Sequence, residues 1–159
     1  MSIVPPSVGD PTGATWADEI TTAINALLNP PRFIGSIPSG TYITADVNFP
    51  FAADEDPLSG WDSSDRWWTC PVAGLYDVRG QFVAGSAIQA ILSVQVNGTQ
   101  VFYSPGAVQS VTIDYGGTTI AGYIRLNVGD QVAVQSSNTW TTKTDTGVGT
   151  SFALLRVSA

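Results

Sequence analysis

A turn followed by a strand, Pro71-Val72-Ala73-Gly74-Leu75-Tyr76-Asp77-Val78-Arg79-Gly80-Gln81-Phe82, constrains this chain more than any other passage. Pro71 fixes φ and withholds a backbone donor, while Gly74 accepts conformations closed to residues with a Cβ, so the spacing predicts a reversal between them. Beyond it Tyr76, Val78, Gly80 and Phe82 fall on one face and Leu75, Asp77, Arg79 and Gln81 on the other. A period of two predicts a strand buried on one face. Trp67 and Trp68 lead into the turn, so large apolar area gathers at one place and requires a second sheet or a neighbouring subunit to cover it.

The remaining strand signals follow in order. Residues 41–49 alternate well enough for a first strand, and residues 52–66 read as a long acidic loop. Asn97-Gly98, between apolar runs at 88–96 and 100–103, is a strong hairpin signal. Residues 108–115 form another candidate strand, and 118–128 with 131–135 read as a second hairpin around Gly129-Asp130. The polar tract 136–147 reads as a loop. Residues 151–157 are almost continuously apolar, which suits a central strand covered on both faces. About eight strands predict an all-β sandwich or barrel, with Tyr76, Val78, Phe82, Val94, Val132 and Leu154 in its core.

The amino-terminal part has a different character. Pro5, Pro6, Gly9 and Pro11 predict an extended arm, after which Trp16, Ile20, Ile24 and Leu27 recur at helical spacing. Thr15-Trp16-Ala17-Asp18 has the form of a capping box, and Pro30-Pro31 ends the helix. The division is therefore an arm and short helix over residues 1–40 and a β head over 41–159. The helix stripe is expected to dock on its own domain or to meet symmetry mates, so Trp16, Ile20, Ile24, Leu27, Trp67 and Trp68 are the candidate interface and anchoring residues.

At 159 residues the chain has the size of one domain. Only 12% of it is charged, against about a quarter in ordinary domains, and mean hydropathy is +0.14, so subunit contacts are expected. A formal net charge of -7 repels a phosphate backbone or an anionic membrane surface, so neither nucleic acid nor membrane is an expected partner. Residues 1–6 show neither a basic nor an apolar signal region, and no apolar run reaches the ~20 residues needed to cross a bilayer, which predicts cytoplasmic synthesis without export.

The chain contains no histidine, which removes the usual Ser-His-Asp and Cys-His arrangements and the imidazole ligands of a metal-dependent jelly-roll enzyme. No catalytic residue and no cofactor is expected. The lone Cys70 excludes an intrachain disulfide and is expected to lie inert in the core. Asp54, Asp56, Asp62 and Asp65 are candidate calcium ligands, since that ion takes about six to eight oxygens, although their spacing does not match an EF-hand and a solvated acidic loop is the simpler reading. Trp61 and Trp140, in predicted loops, are candidates for a surface on which host glycans stack.

Four passages together carry a resemblance: Trp68-x-x-Pro71-x-Ala73-Gly74-x-Tyr76-x-Val78, Val94-x-Val96-Asn97-Gly98, Leu126-x-Val128-Gly129-Asp130-x-Val132 and Phe152-x-Leu154-Leu155. They resemble the jelly-roll domain of the complement C1q and tumour-necrosis-factor superfamily, over roughly the last three quarters of the chain. The resemblance implies a jelly-roll β-sandwich, a Gly-Asp turn ending a long hairpin, and association as a homotrimer. The chain departs from C1q-like domains in having no Gly-X-Y stalk and in placing Ala153 where glycine is usual. The leader, Thr15-x-x-Asp18-x-Ile20-x-x-x-Ile24-Asn25-x-Leu27-Leu28, is similar to leaders of small virion proteins of tailed phages. That similarity implies a non-enzymatic virion structural protein, a capsid decoration or minor tail component, assembled in the host cytoplasm. Its homotrimeric head would be tied to other virion proteins through residues 1–31. The alternative is a receptor- or carbohydrate-binding module of a tail fibre.

Overall fold

The computed structural model describes residues 17–21, 24–25, 30–85, 91–103, 116–142 and 149–158. Across them the chain is an all-β jelly-roll sandwich. The first sheet holds, in spatial order, β3 (Ala52–Glu55), β1 (Arg32–Ile37), β12 (Thr150–Ser158), β6 (Gly74–Ala84) and β9 (Gly116–Leu126). The second holds β4 (Trp61–Asp62), β5 (Trp67–Thr69), β10 (Gln131–Ser136), β7 (Leu92–Val96) and β8 (Thr99–Tyr103). A short pair, β2 (Tyr42–Ile43) with β11 (Trp140–Thr141), closes one end, and every named pairing is antiparallel.

The period of two in β6 appears directly as burial, with Tyr76, Val78, Gly80 and Phe82 inward. The six residues expected in the core are all buried, joined by Phe33, Phe49, Phe51, Trp68 and Phe152. Glycine sets how the rings fit. Phe152 registers between Gly35 of β1 and Gly80 of β6, and a Cβ at Gly80 would lie 2.5 Å from the Phe82 ring and 3.4 Å from that of Phe152. Bare backbone on either side gives Phe152 room to stack on Phe51 at 5.7 Å, while Phe49 meets Phe82 edge-on at 5.6 Å.

The turn before β6 is locked from two sides. The Tyr76 hydroxyl donates to the Val72 carbonyl at 2.6 Å, and the Trp68 indole packs edge-on against the Tyr76 ring. Burial pushes up both the Tyr76 phenol and the Cys70 thiol, so both stay neutral and the cysteine is inert, as its sequence context predicts. Cys70 N donates to Asp130 O and Gly129 N to Cys70 O, at 2.8 and 2.9 Å. The Asp130 carboxylate accepts from Asn97 Nδ2 at 2.8 Å and from Asn127 N at 2.7 Å, while Asn97 Oδ1 accepts from Gln131 N. Three chain reversals are thereby tied into one cluster.

Several expectations need correction. The sandwich begins at Arg32, not Thr41: Phe33, Gly35 and Ile37 point inward, and Pro31 is buried with its carbonyl accepting from Arg156 N. Within 41–49 only Tyr42–Ile43 is strand. The acidic segment 52–66 contains β3 and β4, because β1 and β5 offer them free edges. β9 and β10 are not a hairpin, since β9 pairs with β6 and β10 with β7 and β5, so the Gly129-Asp130 turn carries the chain from one sheet to the other. Trp140, expected in a loop, lies in β11. The last strand is central, yet Leu155 and Val157 on its outer side are exposed in the single chain. Residues 17–21 and 24–25 are helical, inside the predicted helix. The candidate strand 108–115 lies outside the described residues.

Replacing Trp68 by alanine removes a fully buried indole and is expected to cost about 3–5 kcal/mol in a denaturant titration; a loss under about 1 kcal/mol would contradict its placement. Acid tests the turn cluster. The Asn127 amide first, then the Asn97 side chain, holds the Asp130 carboxyl below its ordinary value of 3.8. A group depressed in the folded state contributes stability above its unfolded value and loses it as pH falls through the folded one. Asp130→Asn is therefore expected to lower the melting temperature at pH 7 and to shrink the further drop between about pH 4 and pH 2.

Candidate subunit interface

The outer face of the first sheet is the candidate site, and it follows from strand alternation. With Phe152 and Leu154 inward, Ser151, Ala153, Leu155 and Val157 of β12 must face outward. Register then sets their neighbours. One row across the sheet is Ile34, Ala153, Arg79 and Ala121; the next is Arg32, Leu155, Asp77 and Tyr123. Leu155 is 42% exposed and Val157 48%, on a strand paired on both sides, and Tyr123 is 59% exposed on the edge strand β9. Short side chains at the centre leave a depression of about 400 Å³, lined by Ile34, Gly80, Ala121, Ser151 and Ala153 among others.

Electrostatics distinguish this face from the rest of the molecule. Three of the chain's six cationic residues, Arg32, Arg79 and Arg125, lie on it beside Asp77 and Glu55, so this face does not carry the acidic excess of the whole chain. Two are neutralised locally. Arg32 pairs with Glu55 of β3, and Arg79 Nε bonds Asp77 Oδ1 at 3.0 Å, a contact that pushes the guanidinium further up. The face presents aliphatic and aromatic surface between self-contained ion pairs, with no enclosed pocket and no nucleophile beside a base.

The residues singled out from the sequence mostly lie elsewhere. Trp68 is only 1% exposed, so it serves its own core and cannot contact a subunit. Trp67 is half-buried on β5, in the opposite sheet. Ile20 is half-buried and Ile24 is 48% exposed, while Trp16 and Leu27 lie outside the described residues. Trp140 is buried, donating its indole N–H to Ser136 Oγ at 3.0 Å and meeting Phe49 edge-on, so it offers no stacking surface. Trp61 is half-buried and stacks on Phe33 at 4.9 Å, which occupies one face of its ring.

The four aspartates do not converge. Asp54 accepts from Ser36 Oγ, and Asp56 accepts from Trp61 N and Trp68 Nε1. Asp62 caps its own turn through Ser64 and Asp65, and the Ser64 hydroxyl bond, followed by the two backbone amides, holds it below the ordinary carboxylate value. Asp65 takes part through its backbone, its N–H donating to Asp62 and its carbonyl accepting from Asn48. Among the described residues no three acidic, cysteine or histidine side chains come together as metal ligands. The interface residues Ile34, Tyr123, Ala153 and Leu155 were not singled out from the sequence. For Ala153 and Leu155 the available signal was the unbroken apolar run Phe152-Ala153-Leu154-Leu155 in the last strand, which asks for cover on two faces.

No protein-family model and no curated protein matches the chain. Solved structures do. The Eiger TNF of S. frugiperda is 13% identical over 80% of this chain and 92% of its own, with a TM-score of 0.59. The globular domain of zebrafish complement 1qA protein is 15% identical over 78% and 92%, with a TM-score of 0.53. Murine APRIL at pH 5.0 is 14% identical over 79% and 99%, with a TM-score of 0.57. The sandwich therefore has the TNF- and C1q-like jelly-roll fold.

Proposed function

We propose that this chain is a non-enzymatic structural protein of a tailed-phage virion, a capsid decoration or minor tail component. Its jelly-roll head associates as a homotrimer through the outer face of the first sheet. The observation that carries the self-association is that face, with Leu155, Val157 and Ile34 outward on strands paired on both sides and Tyr123 outward on the edge strand beside them. The threefold state draws on the likeness to C1q and TNF domains. The virion setting draws on the leader, whose helical residues 17–21 and 24–25 expose Ile24 rather than bury it against the sandwich. Such a stripe is suited to a partner surface on a larger lattice.

Light scattering after size exclusion is expected to return about three times the 16.7 kDa chain at micromolar concentration, and a single-chain mass would refute the interface. Leu155→Asp places a charge in the middle of the face without touching the core. It is expected to leave the β spectrum intact and to weaken association roughly thirtyfold or more. The anchoring role is tested by removing residues 1–29, a cut that spares the buried Pro31 and its bond from Arg156. The shortened head should still fold and associate but fail to join particles in an assembly reaction; full incorporation would place the attachment on the head itself.

A further inference from the structure

The outer face of the second sheet carries a different chemistry. Between β7, β8, β10 and the segment at Asp46 lies a depression of about 340 Å³, within the range of about 300–1,000 Å³ common for small-ligand sites. Its walls come from Ser93, Gln95, Gln100, Gln135 and Ser137, with Ile91 and Asp46 also in the lining. The amides are not solvated independently. Gln95 Nε2 donates to Gln135 Oε1, Gln135 Nε2 to Asn48 Oδ1 at 2.9 Å, and Asn48 Nδ2 to the Asp65 carbonyl at 3.1 Å. This one-way relay fixes three side chains and leaves Gln95 Oε1, at its head, with no donor among the described residues. Ser137 is fixed as well, since Ile91 N donates to its Oγ and its own N–H donates to Ile91 O, both at 2.9 Å.

We propose that this groove binds neutral saccharide. Immobilised amides offer acceptors and spare N–H donors side by side, which matches hydroxyl groups that both give and accept, and their ordering cost is already met by the fold. Ile91, 51% exposed, supplies an apolar edge for the C–H face of a pyranose ring. Charge selects against anions: among the described residues no cation lines the groove, and the Asp46 carboxylate in its lining would repel phosphate, sulfate or a sialic carboxylate. The lining residues named all come from one subunit, so the proposal does not rest on the self-association proposed above. It also replaces Trp61 and Trp140 as the place where sugar would be met.

Saturation-transfer NMR with the full chain tests this, with lactose and maltotriose as neutral probes and sialyllactose as the anionic contrast. Transfer is expected from a neutral probe, with affinity on the order of 1 mM, and roughly tenfold weaker binding in both Gln95→Ala and Gln135→Ala. The Leu155→Asp chain should bind as well as the native one, so failure of the interface and failure of the groove are read separately. Silence from both neutral probes at about 10 mM, preference for sialyllactose, binding unmoved by the two glutamine variants, or loss of binding in Leu155→Asp would each overturn the proposal.

Discussion

Strand β12 lies between β1 and β6, so the last described residues supply both the partner of the first strand and the ring that fills the centre of the core. Arg32 registers with Leu155 and Ile37 with Thr150, contacts that close nearly the whole length of the sandwich. Non-local closure of this kind carries a large entropic cost before any return, and the aromatic cluster around Phe152 is what offsets it. The same strand separates two tasks by parity. Phe152 and Leu154 hold the sheets together; Ala153 and Leu155 face away and are free to serve another subunit.

How much of this was legible depended on whether a signal was local. The alternation of Tyr76, Val78 and Phe82 and the Asn97-Gly98 reversal are properties of short windows, and both were read correctly. β1 was missed because Arg-Phe-Ile-Gly-Ser-Ile is only six residues long, holds a glycine and stands between prolines. Its strand character comes from β12 and β3 on either side. β3 itself, Ala-Ala-Asp-Glu, has little preference for a strand and exists because β1 offers an edge. The Gly129-Asp130 turn was found but its partners were not, since a tight turn does not reveal whether the chain stays in one sheet. The candidate site fared worst. Aspartates and tryptophans stand out in a sequence as chemistry, yet Asp56, Asp62 and Trp140 bond Trp68, Ser64 and Ser136 within the fold.

The two sheets present opposite solutions to an uncovered outer face. The first carries apolar side chains with its charges paired off, leaving dispersion and water release as the main gain on contact. The second carries side-chain amides bonded to each other, among them Gln95 of β7 to Gln135 of β10, whose remaining polar atoms a flat apolar partner would leave unmatched. The proposed association through one face, with the other left wet, rests on this division.

The bond from Arg156 to Pro31, and the register of Leu75 with Ser158, put the entry and exit of the sandwich at the same end. The exposed Pro38–Gly40 turn, where Gly40 takes φ 76°, marks the opposite end, beyond the pairing of Ile37 with Thr150. For anyone wishing to display a foreign epitope, the geometry reverses the usual habit of tagging the carboxyl terminus. A peptide continued from Ser158 would emerge beside the point where the chain enters the sandwich, whereas one spliced in at Ser39 would stand at the far tip, clear of it.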